Sequence, residues 1–156
     1  MRKLIFIVFF AVSSIFYGET VQLKSFNEVL DALQKGEHVT AVIHYGKCKL
    51  ISDGQEAEAP NAVGGMDLLP FEYFTAGLFG NNKGFISVSE TILISMPRYG
   101  GYVYNYAKLK IIDDNTVEIT ARYLSVDKLE VKMDETFYGE INDSSNDKAV
   151  YFYINK

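Results

Sequence analysis

The chain has 156 residues, the length of one ordinary domain, and 48% of them are hydrophobic, including 11 Tyr and 11 Phe. This composition is sufficient for one hydrophobic core and excludes a disordered chain. The formal net charge is −5. The chain therefore lacks the positive surface typical of nucleic-acid-binding proteins, and we do not expect nucleic acid as a partner.

The first 18 residues have the layout of a secretory signal peptide. Arg2 and Lys3 precede an apolar run over residues 4–12, which is shorter than the roughly 20 residues that a transmembrane helix needs. Cleavage after Ser14 or after Gly18 fits the small residues there, and an uncleaved anchor is the alternative. We predict a signal peptide over residues 1–18, one domain over residues 19–156, and export to the periplasm or the extracellular space without stable membrane insertion.

A helix is predicted over residues 25–35. Ser25 is the expected N-cap, and Glu28 stands three residues later, which is the pattern of a capping box. Apolar residues recur at helical spacing on one face, namely Phe26, Val29, Leu30 and Leu33. Gly36 is the expected stop, because glycine adopts the left-handed conformation that commonly ends a helix.

A strand over residues 38–45 follows, and after Gly46 a bent continuation of this strand is predicted over residues 47–51. His38 and His44 lie on the same face of the strand. Six residues of extended chain separate them by about 20 Å, so they cannot bind one metal ion together. The chain has one cysteine, Cys48, and metal sites need clustered ligands. We therefore predict no metal site and no cofactor.

Cys48 has three possible roles in an oxidising compartment: a buried thiol, a thiol paired with another molecule, or a reactive thiol. The buried thiol is favoured, because an isolated cysteine behaves as a small apolar residue. His44, Lys47 and Lys49 would be the activating neighbours of a nucleophile. Neighbours on a strand alternate faces, and no third orienting residue is found.

The middle of the chain is less regular. Residues 52–62 are predicted to form a polar surface loop. Gly64 and Gly65 follow, and paired glycines permit a turn, a bulge or a close backbone approach. A short strand is predicted over residues 71–75, followed by a turn over residues 80–84.

Residues 84–126 contain the longest regular pattern, three consecutive strands. The segments GFISVSETILIS, YVYNYAKLKII and TVEITARYLSV alternate apolar and polar residues, which is typical of half-buried antiparallel strands. Asp113-Asp114-Asn115 is the predicted turn between the last two, since these residues tolerate turn conformations. Further strands are predicted over residues 128–133, 135–141 and 149–154. Asn142-Asp143-Ser144 matches a glycosylation sequon, which is relevant in a eukaryotic host.

Two features of these strands are candidate binding residues. Tyr102, Tyr104 and Tyr106, the tyrosine row, lie on the polar face of the second strand and would offer rigid amphipathic contact area. Arg98 and Tyr99 lie in the preceding turn, and recognition often sits in such loops. The alternatives are that the tyrosine row packs under the helix or inside a barrel, and that the turn only connects two strands.

These elements predict an α+β fold that is mainly β. We expect the N-terminal helix to pack on an antiparallel meander of about seven to nine strands. The meander is either barrel-like or a sandwich, because closure does not follow from the alternation of residues.

The run LKSFNEVLDALQKGEHVTAVIHYGKCKL, followed by NAVGGMDLLPFEYF, resembles the VirK family of exported bacterial proteins. The matching pieces are the capped helix with Gly36, the strand leading to Cys48, the Gly64-Gly65-Met66 turn and Phe71-Glu72. They span the first half of the mature chain, and the length and the signal peptide also fit. The resemblance implies export from a bacterial cell and an association with virulence, and it implies no catalytic residues.

We therefore expect an exported, virulence-associated accessory or binding protein that is not an enzyme. One alternative is a carrier that holds a small apolar ligand in a β-barrel interior. Another is an enzyme that uses Cys48 as its nucleophile. The expected partner is accordingly a protein, a glycan or a small apolar ligand.

Overall fold

The structure is a computed structural model that describes residues 18–52 and 54–155. The predicted signal peptide lies outside the described residues except for Gly18. Among the described residues there are one α-helix and eleven strands. The helix is α1 (Phe26–Gln34), and the strands are β1 (Thr20–Leu23), β2 (Val39–His44), β3 (Lys49–Ser52), β4 (Gln55–Ala57), β5 (Val63–Asp67), β6 (Glu72–Phe74), β7 (Phe85–Met96), β8 (Gly101–Ile112), β9 (Thr116–Ser125), β10 (Val131–Glu140) and β11 (Val150–Asn155).

The strands form two antiparallel sheets. The small sheet has the order β1-β11-β2-β5, and the large sheet has the order β4-β3-β10-β9-β8-β7-β6. Neither sheet closes on itself, and side chains from both sheets and from α1 form one core. The predicted α+β, mainly β class is confirmed. The sequence allowed a barrel-like form or a sandwich, and the protein has two separate sheets rather than a closed barrel.

Alternation along the strands decides which side chains enter this core. Val39, Ala41 and Ile43 of β2 are buried, whereas the residues between them are half-buried. In the large sheet, one buried residue from each of four neighbouring strands forms a row across the inner face: Val88, Leu109, Ile119 and Phe137. The inner face of the large sheet is therefore the face that packs toward the small sheet.

The predicted helix is confirmed together with its two ends. The Ser25 hydroxyl accepts a hydrogen bond from the Glu28 backbone N–H at 3.3 Å, and Gly36 has a φ of +77°. The predicted turn at Asp113-Asp114-Asn115 is also found, and Asn115 has a left-handed φ of +67°. Its side-chain oxygen accepts a hydrogen bond of 2.7 Å from the backbone N–H of Phe26, so this turn holds the start of α1. No helix among the described residues has the length and hydropathy to cross a bilayer.

The expected strand count is exceeded because β1 and β4 are only three or four residues long, too short to show a periodic pattern, and because β5 contains Gly64 and Gly65 in place of alternating side chains. The short strand predicted over residues 71–75 is found as β6. Residues 128–141 are not two strands, since β10 runs through most of this region with an irregularity between Val131 and Met133. The predicted bent continuation of β2 is also wrong. A 3-10 turn, Tyr45–Lys47, carries the chain from the small sheet into β3 of the large sheet.

Of the alternatives left open for Gly64 and Gly65, the structure shows close approach rather than a turn. They lie inside β5, opposite Ile43 and Val42 of β2. A Cβ atom on Gly64 would lie 2.9 Å from the ring of Tyr45, and one on Gly65 would lie 3.2 Å from the Ala41 carbonyl oxygen. The paired glycines are therefore explained by close approach of neighbouring groups.

Candidate functional site

A groove lies where the large sheet extends past the small one. β7 and β8 have 12 residues each, whereas β2 has 6 and β5 has 5. The inner face of the large sheet is therefore covered at one end and open at the other. The open part faces β5, the edge strand of the small sheet, and the space between them is a groove of about 310 Å³.

The floor of the groove is set by one row of residues across four strands. The strand registers place these residues side by side in the order Glu90, Ala107, Ala121 and Glu135. Adjacent strands are about 4.8 Å apart, so the Cα atoms of the two glutamates are about 14 Å apart along this row. The row next to it toward the core is filled by large apolar side chains, and the two alanines leave the space that becomes the groove.

The next row outward gives the groove its mixed character. It consists of Ile92, Asn105, Tyr123 and Met133. Of the described residues that line the groove, none is a lysine, an arginine or a histidine. The groove thus combines apolar side chains with an amide, tyrosines and two carboxylates, and its formal charge is negative.

Tyr45 forms part of the opposite wall. Its ring packs against Phe137 with the ring centroids 4.8 Å apart, over the space that Gly64 leaves open. Burial raises the pKa of the Tyr45 hydroxyl, with smaller contributions from Cys48 and Tyr123. Burial also raises the pKa of Tyr123, and Glu135 and Tyr99 add to the rise. Both hydroxyls are therefore neutral at physiological pH and can donate hydrogen bonds.

The tyrosine row lies on the opposite side of the large sheet from the groove. Tyr102 is 64% exposed, and Tyr104 and Tyr106 are half-buried on this outer face. Tyr104 belongs to an apolar row across four strands, which consists of Leu93, Tyr104, Leu124 and Val131. The tyrosine row is therefore on the solvent side of the large sheet, and neither α1 nor the small sheet covers it.

Arg98 and Tyr99 are separated from the tyrosine row. They lie in the 3-10 turn Pro97–Tyr99, where the ring centroid of Tyr99 is 5.8 Å from that of Tyr123. Tyr123 lines the groove, so Tyr99 belongs to the inner side of the sheet. Tyr99 and the tyrosine row, which belong to the two separate candidate features, thus lie on different faces of the large sheet.

Cys48 is buried, with 8% of its surface exposed, between the 3-10 turn and β3. Its sulfur is 3.8 Å from the carbonyl oxygen of His44, and a Cβ on Gly139 would lie 3.2 Å from it. Burial raises the pKa of the Cys48 thiol from 9.0 to about 11. This environment favours the protonated thiol at neutral pH.

We expect Cys48 to resist alkylation in the folded protein. A pKa raised by about two units leaves about one hundredth of the thiolate that an ordinary thiol has at neutral pH. The measurement is the rate of iodoacetamide modification by mass spectrometry between pH 7 and pH 10. The rate should rise with pH throughout this range and increase strongly on addition of urea. Modification in the native state at the rate of a free thiol would instead identify a reactive cysteine.

The histidines occupy different surroundings. His38 lies 3.4 Å from a carboxylate oxygen of Asp67, and the ring of His44 packs against Tyr151 with the centroids 5.2 Å apart. Among residues 18–52 and 54–155 no three His, Cys, Asp or Glu side chains are grouped so that they could hold a metal ion.

A second depression, of about 620 Å³, is larger than the groove, but its lysines are already paired with carboxylates. Four lysines line it, and each forms an ion pair with a carboxylate. The pairs are Lys47 with Asp147, Lys49 with Glu56, Lys83 with Asp114, and Lys148 with Glu140. This depression therefore has no excess charge with which to bind an anion, and the groove is the better candidate.

Comparison with known proteins places the chain in a family. A family model described as VirK protein matches residues 22–129, well over half of the chain. The crystal structure of lpg1832, a VirK family protein from Legionella pneumophila, is similar over 85% of this chain and 98% of that chain, with a TM-score of 0.62 and 16% sequence identity. This likeness concerns the fold. No curated protein matches the chain significantly. The chain therefore belongs to the VirK family, and this membership supports a virulence-associated protein.

Proposed function

We propose that the protein is an exported, non-enzymatic accessory protein that binds a small amphipathic cation in the groove. The observation that carries this proposal is the row in which Ala107 and Ala121 lie between Glu90 and Glu135. Two small residues make room for an apolar body, and the flanking carboxylates attract a positive group. A carrier with a closed barrel interior is not supported, because neither sheet closes and the ligand space is an open groove.

The charge of the lining favours an amine or guanidinium over an acid. No ion pair among the described residues involves Glu90, which is exposed at one side of the groove. The tyrosine rings of the lining add faces that attract cations. The carbonyl of Asn105 and the neutral tyrosine hydroxyls can accept or donate hydrogen bonds to a polar head.

The test compares three probes with the same chain length: octylamine, octanol and octanoate. Binding is measured by titration calorimetry and by chemical shift changes of groove amides. We expect octylamine to bind more tightly than octanol and octanoate to bind least. An ion pair with an exposed carboxylate contributes about 0.2–1 kcal/mol, so Glu90→Gln should weaken octylamine binding by up to about fivefold and leave octanol binding unchanged.

Steric variants separate the groove from the rest of the sheet. Ala121→Leu fills the floor and should abolish binding of octylamine. Thr120→Leu is the matched control, because Thr120 is the preceding residue of β9 and lies on the outer face. Equal binding of octylamine and octanoate, or equal effects of the two leucine variants, would contradict the proposal. Native mass spectrometry of the protein from its own cells then identifies the natural ligand.

The outer face supports a second candidate function, binding of a protein or a glycan by the tyrosine row. The observation that favours it is the exposure of Tyr102 at one end of the tyrosine row, because aromatic side chains exposed together mark interaction surfaces. Alanine substitution of Tyr102, Tyr104 and Tyr106 would remove such binding and leave octylamine binding intact.

A further inference from the structure

One edge of the large sheet is open. β8 pairs with β7 along its whole length, but β6 pairs only with residues 85–87 on the other side. Leu69 and Pro70 pass beside Ser89 and Glu90, where they line a shared depression. Beyond them, no described strand pairs with residues 91–96 on the side away from β8, and we call this side of residues 91–96 the free edge. Its backbone N–H and C=O groups on that side are available to another strand.

The composition of the free edge is unusual for an edge strand. Natural sheets protect such edges with lysines, prolines, bulges or inward-pointing charges. The free edge has the sequence TILISM and contains no charged residue. Ile92 is 46% exposed on the inner face and Leu93 is 55% exposed on the outer face, so apolar surface flanks the open backbone on both sides. The combination is that of a strand-pairing surface.

We propose that the free edge pairs with the same edge of a second copy of this chain. An antiparallel pair of identical strands has a two-fold axis, and the sequence around Leu93 is self-complementary about such an axis. The opposing pairs would be Leu93 with Leu93, Ile92 with Ile94, Thr91 with Ser95, and Glu90 with Met96. Each apolar residue faces an apolar residue, and each small hydroxyl faces another.

Charge supports this register. The interface contains one charged residue per copy, Glu90, and it faces the thioether of Met96 in the second copy. The two Glu90 carboxylates are six residues apart along the strands, or about 20 Å, so like charges do not oppose each other. A closed two-fold contact also removes both open edges at once, which a one-sided contact would not do.

The dimer would join two large sheets into one continuous sheet. On the outer face, the apolar row of Leu93, Tyr104, Leu124 and Val131 would meet its counterpart across the axis. On the inner face, Ile92, which lines the groove, would gain Ile94 of the second copy as a neighbour. This inference concerns the edge of the sheet and stands independently of the ligand proposed for the groove.

Symmetric cross-linking tests the register. Directly opposite residues in antiparallel strands have Cα atoms about 4.5–5.5 Å apart, within the range that a disulfide spans, whereas diagonal neighbours lie about 7–8 Å apart. Under mild oxidation, Leu93→Cys should form a disulfide-linked dimer with itself. Ile92→Cys should cross-link poorly alone and efficiently when mixed with Ile94→Cys. The wild-type protein is the control for Cys48.

Solution mass tests the assembly. Light scattering coupled to size exclusion should give twice the monomer mass for the wild type. Leu93→Lys places two lysines on the axis and should weaken self-association at least tenfold. Leu129→Lys is the matched control, since Leu129 is 60% exposed in the connection between β9 and β10 and should leave the dimer intact.

Three outcomes would overturn the proposal. The first is a wild-type monomer at several hundred micromolar. The second is a dimer that forms equally well with Leu93→Lys, which would place the contact on another face. The third is a strand of a different protein bound at the free edge in preparations from the native cells and lost with Leu93→Lys, which would replace the second copy as the occupant.

Discussion

Replacing Phe137 with alanine is expected to cost about 3–5 kcal/mol of unfolding free energy, the range for a buried phenylalanine. Phe137 is 3% exposed and lies opposite Ile119 on one side and Leu50 on the other. Its ring also supports Tyr45 at a centroid distance of 4.8 Å. Chemical denaturation monitored by circular dichroism measures the loss of unfolding free energy.

The control for this variant is its neighbour. Tyr138 follows Phe137 on β10 but points to the outer face and is 46% exposed, so Tyr138→Ala should change stability much less. Phe137→Leu retains most of the buried area and should lose less than Phe137→Ala. Because Phe137 lines the groove, Phe137→Ala should also alter octylamine binding where the protein remains folded. Equal losses for Phe137→Ala and Tyr138→Ala would show that the inner face is not the core.

Replacing Asn142 with alanine is expected to cost about 2–4 kcal/mol, because it leaves several buried polar groups without partners. Asn142 is 3% exposed. Its side-chain oxygen accepts hydrogen bonds from the Ser144 backbone N–H at 2.9 Å and from the Gln22 side chain at 3.2 Å. Its amide nitrogen donates to the carbonyls of Asn146 at 3.0 Å and Lys148 at 3.4 Å. This residue joins β1 to the connection between β10 and β11.

Asn142→Asp tests the hydrogen bonds that Asn142 accepts separately from those that it donates. The variant retains an acceptor for Ser144 but turns a negatively charged oxygen toward two carbonyls. We expect it to be destabilised at pH 7 and partly restored at pH 4, where a protonated carboxyl can donate a hydrogen bond again. Denaturation at both pH values measures the difference, with Asn155→Asp as an exposed control. Stability of Asn142→Asp that does not depend on pH would contradict this role.

The same contacts bear on the sequon at Asn142-Asp143-Ser144. The pattern of residues alone matches a glycan acceptor, which is relevant only in a eukaryotic host. The structure places the acceptor nitrogen of Asn142 in two internal hydrogen bonds. In the folded protein this nitrogen is therefore a structural donor.

Local signals in the sequence predicted the helix and the central strands correctly. The cap at Ser25, the stop at Gly36 and the alternation within β7, β8 and β9 all depend on residues that are near each other in the chain. The division into two sheets depends on pairing between distant residues. No periodic pattern in the sequence marks the point where the chain passes from β2 to β3 through the 3-10 turn at Tyr45. The pairing of β1 with β11 joins segments that are far apart in the sequence.

The groove was missed for a related reason. Glu90 interrupts the apolar face of β7 between Val88 and Ile92, and this exception was the available signal. Its meaning depends on the register, which places Ala107, Ala121 and Glu135 beside it. The tyrosine row could be named from the sequence because its three residues stand at every second position of one strand. Neighbouring residues on different strands are visible only once the sheet is known.

The position of β11 has a consequence for the order of folding. β11 lies between β1 and β2, and it pairs Thr20 with Asn155, 135 residues away. The small sheet therefore cannot assemble until nearly the whole chain is available, and such distant contacts slow folding. The export that we propose would require the chain to remain unfolded while it passes through a translocation pore. Because the small sheet needs β11 between β1 and β2, we expect this sheet to form only after residues 150–155 have crossed.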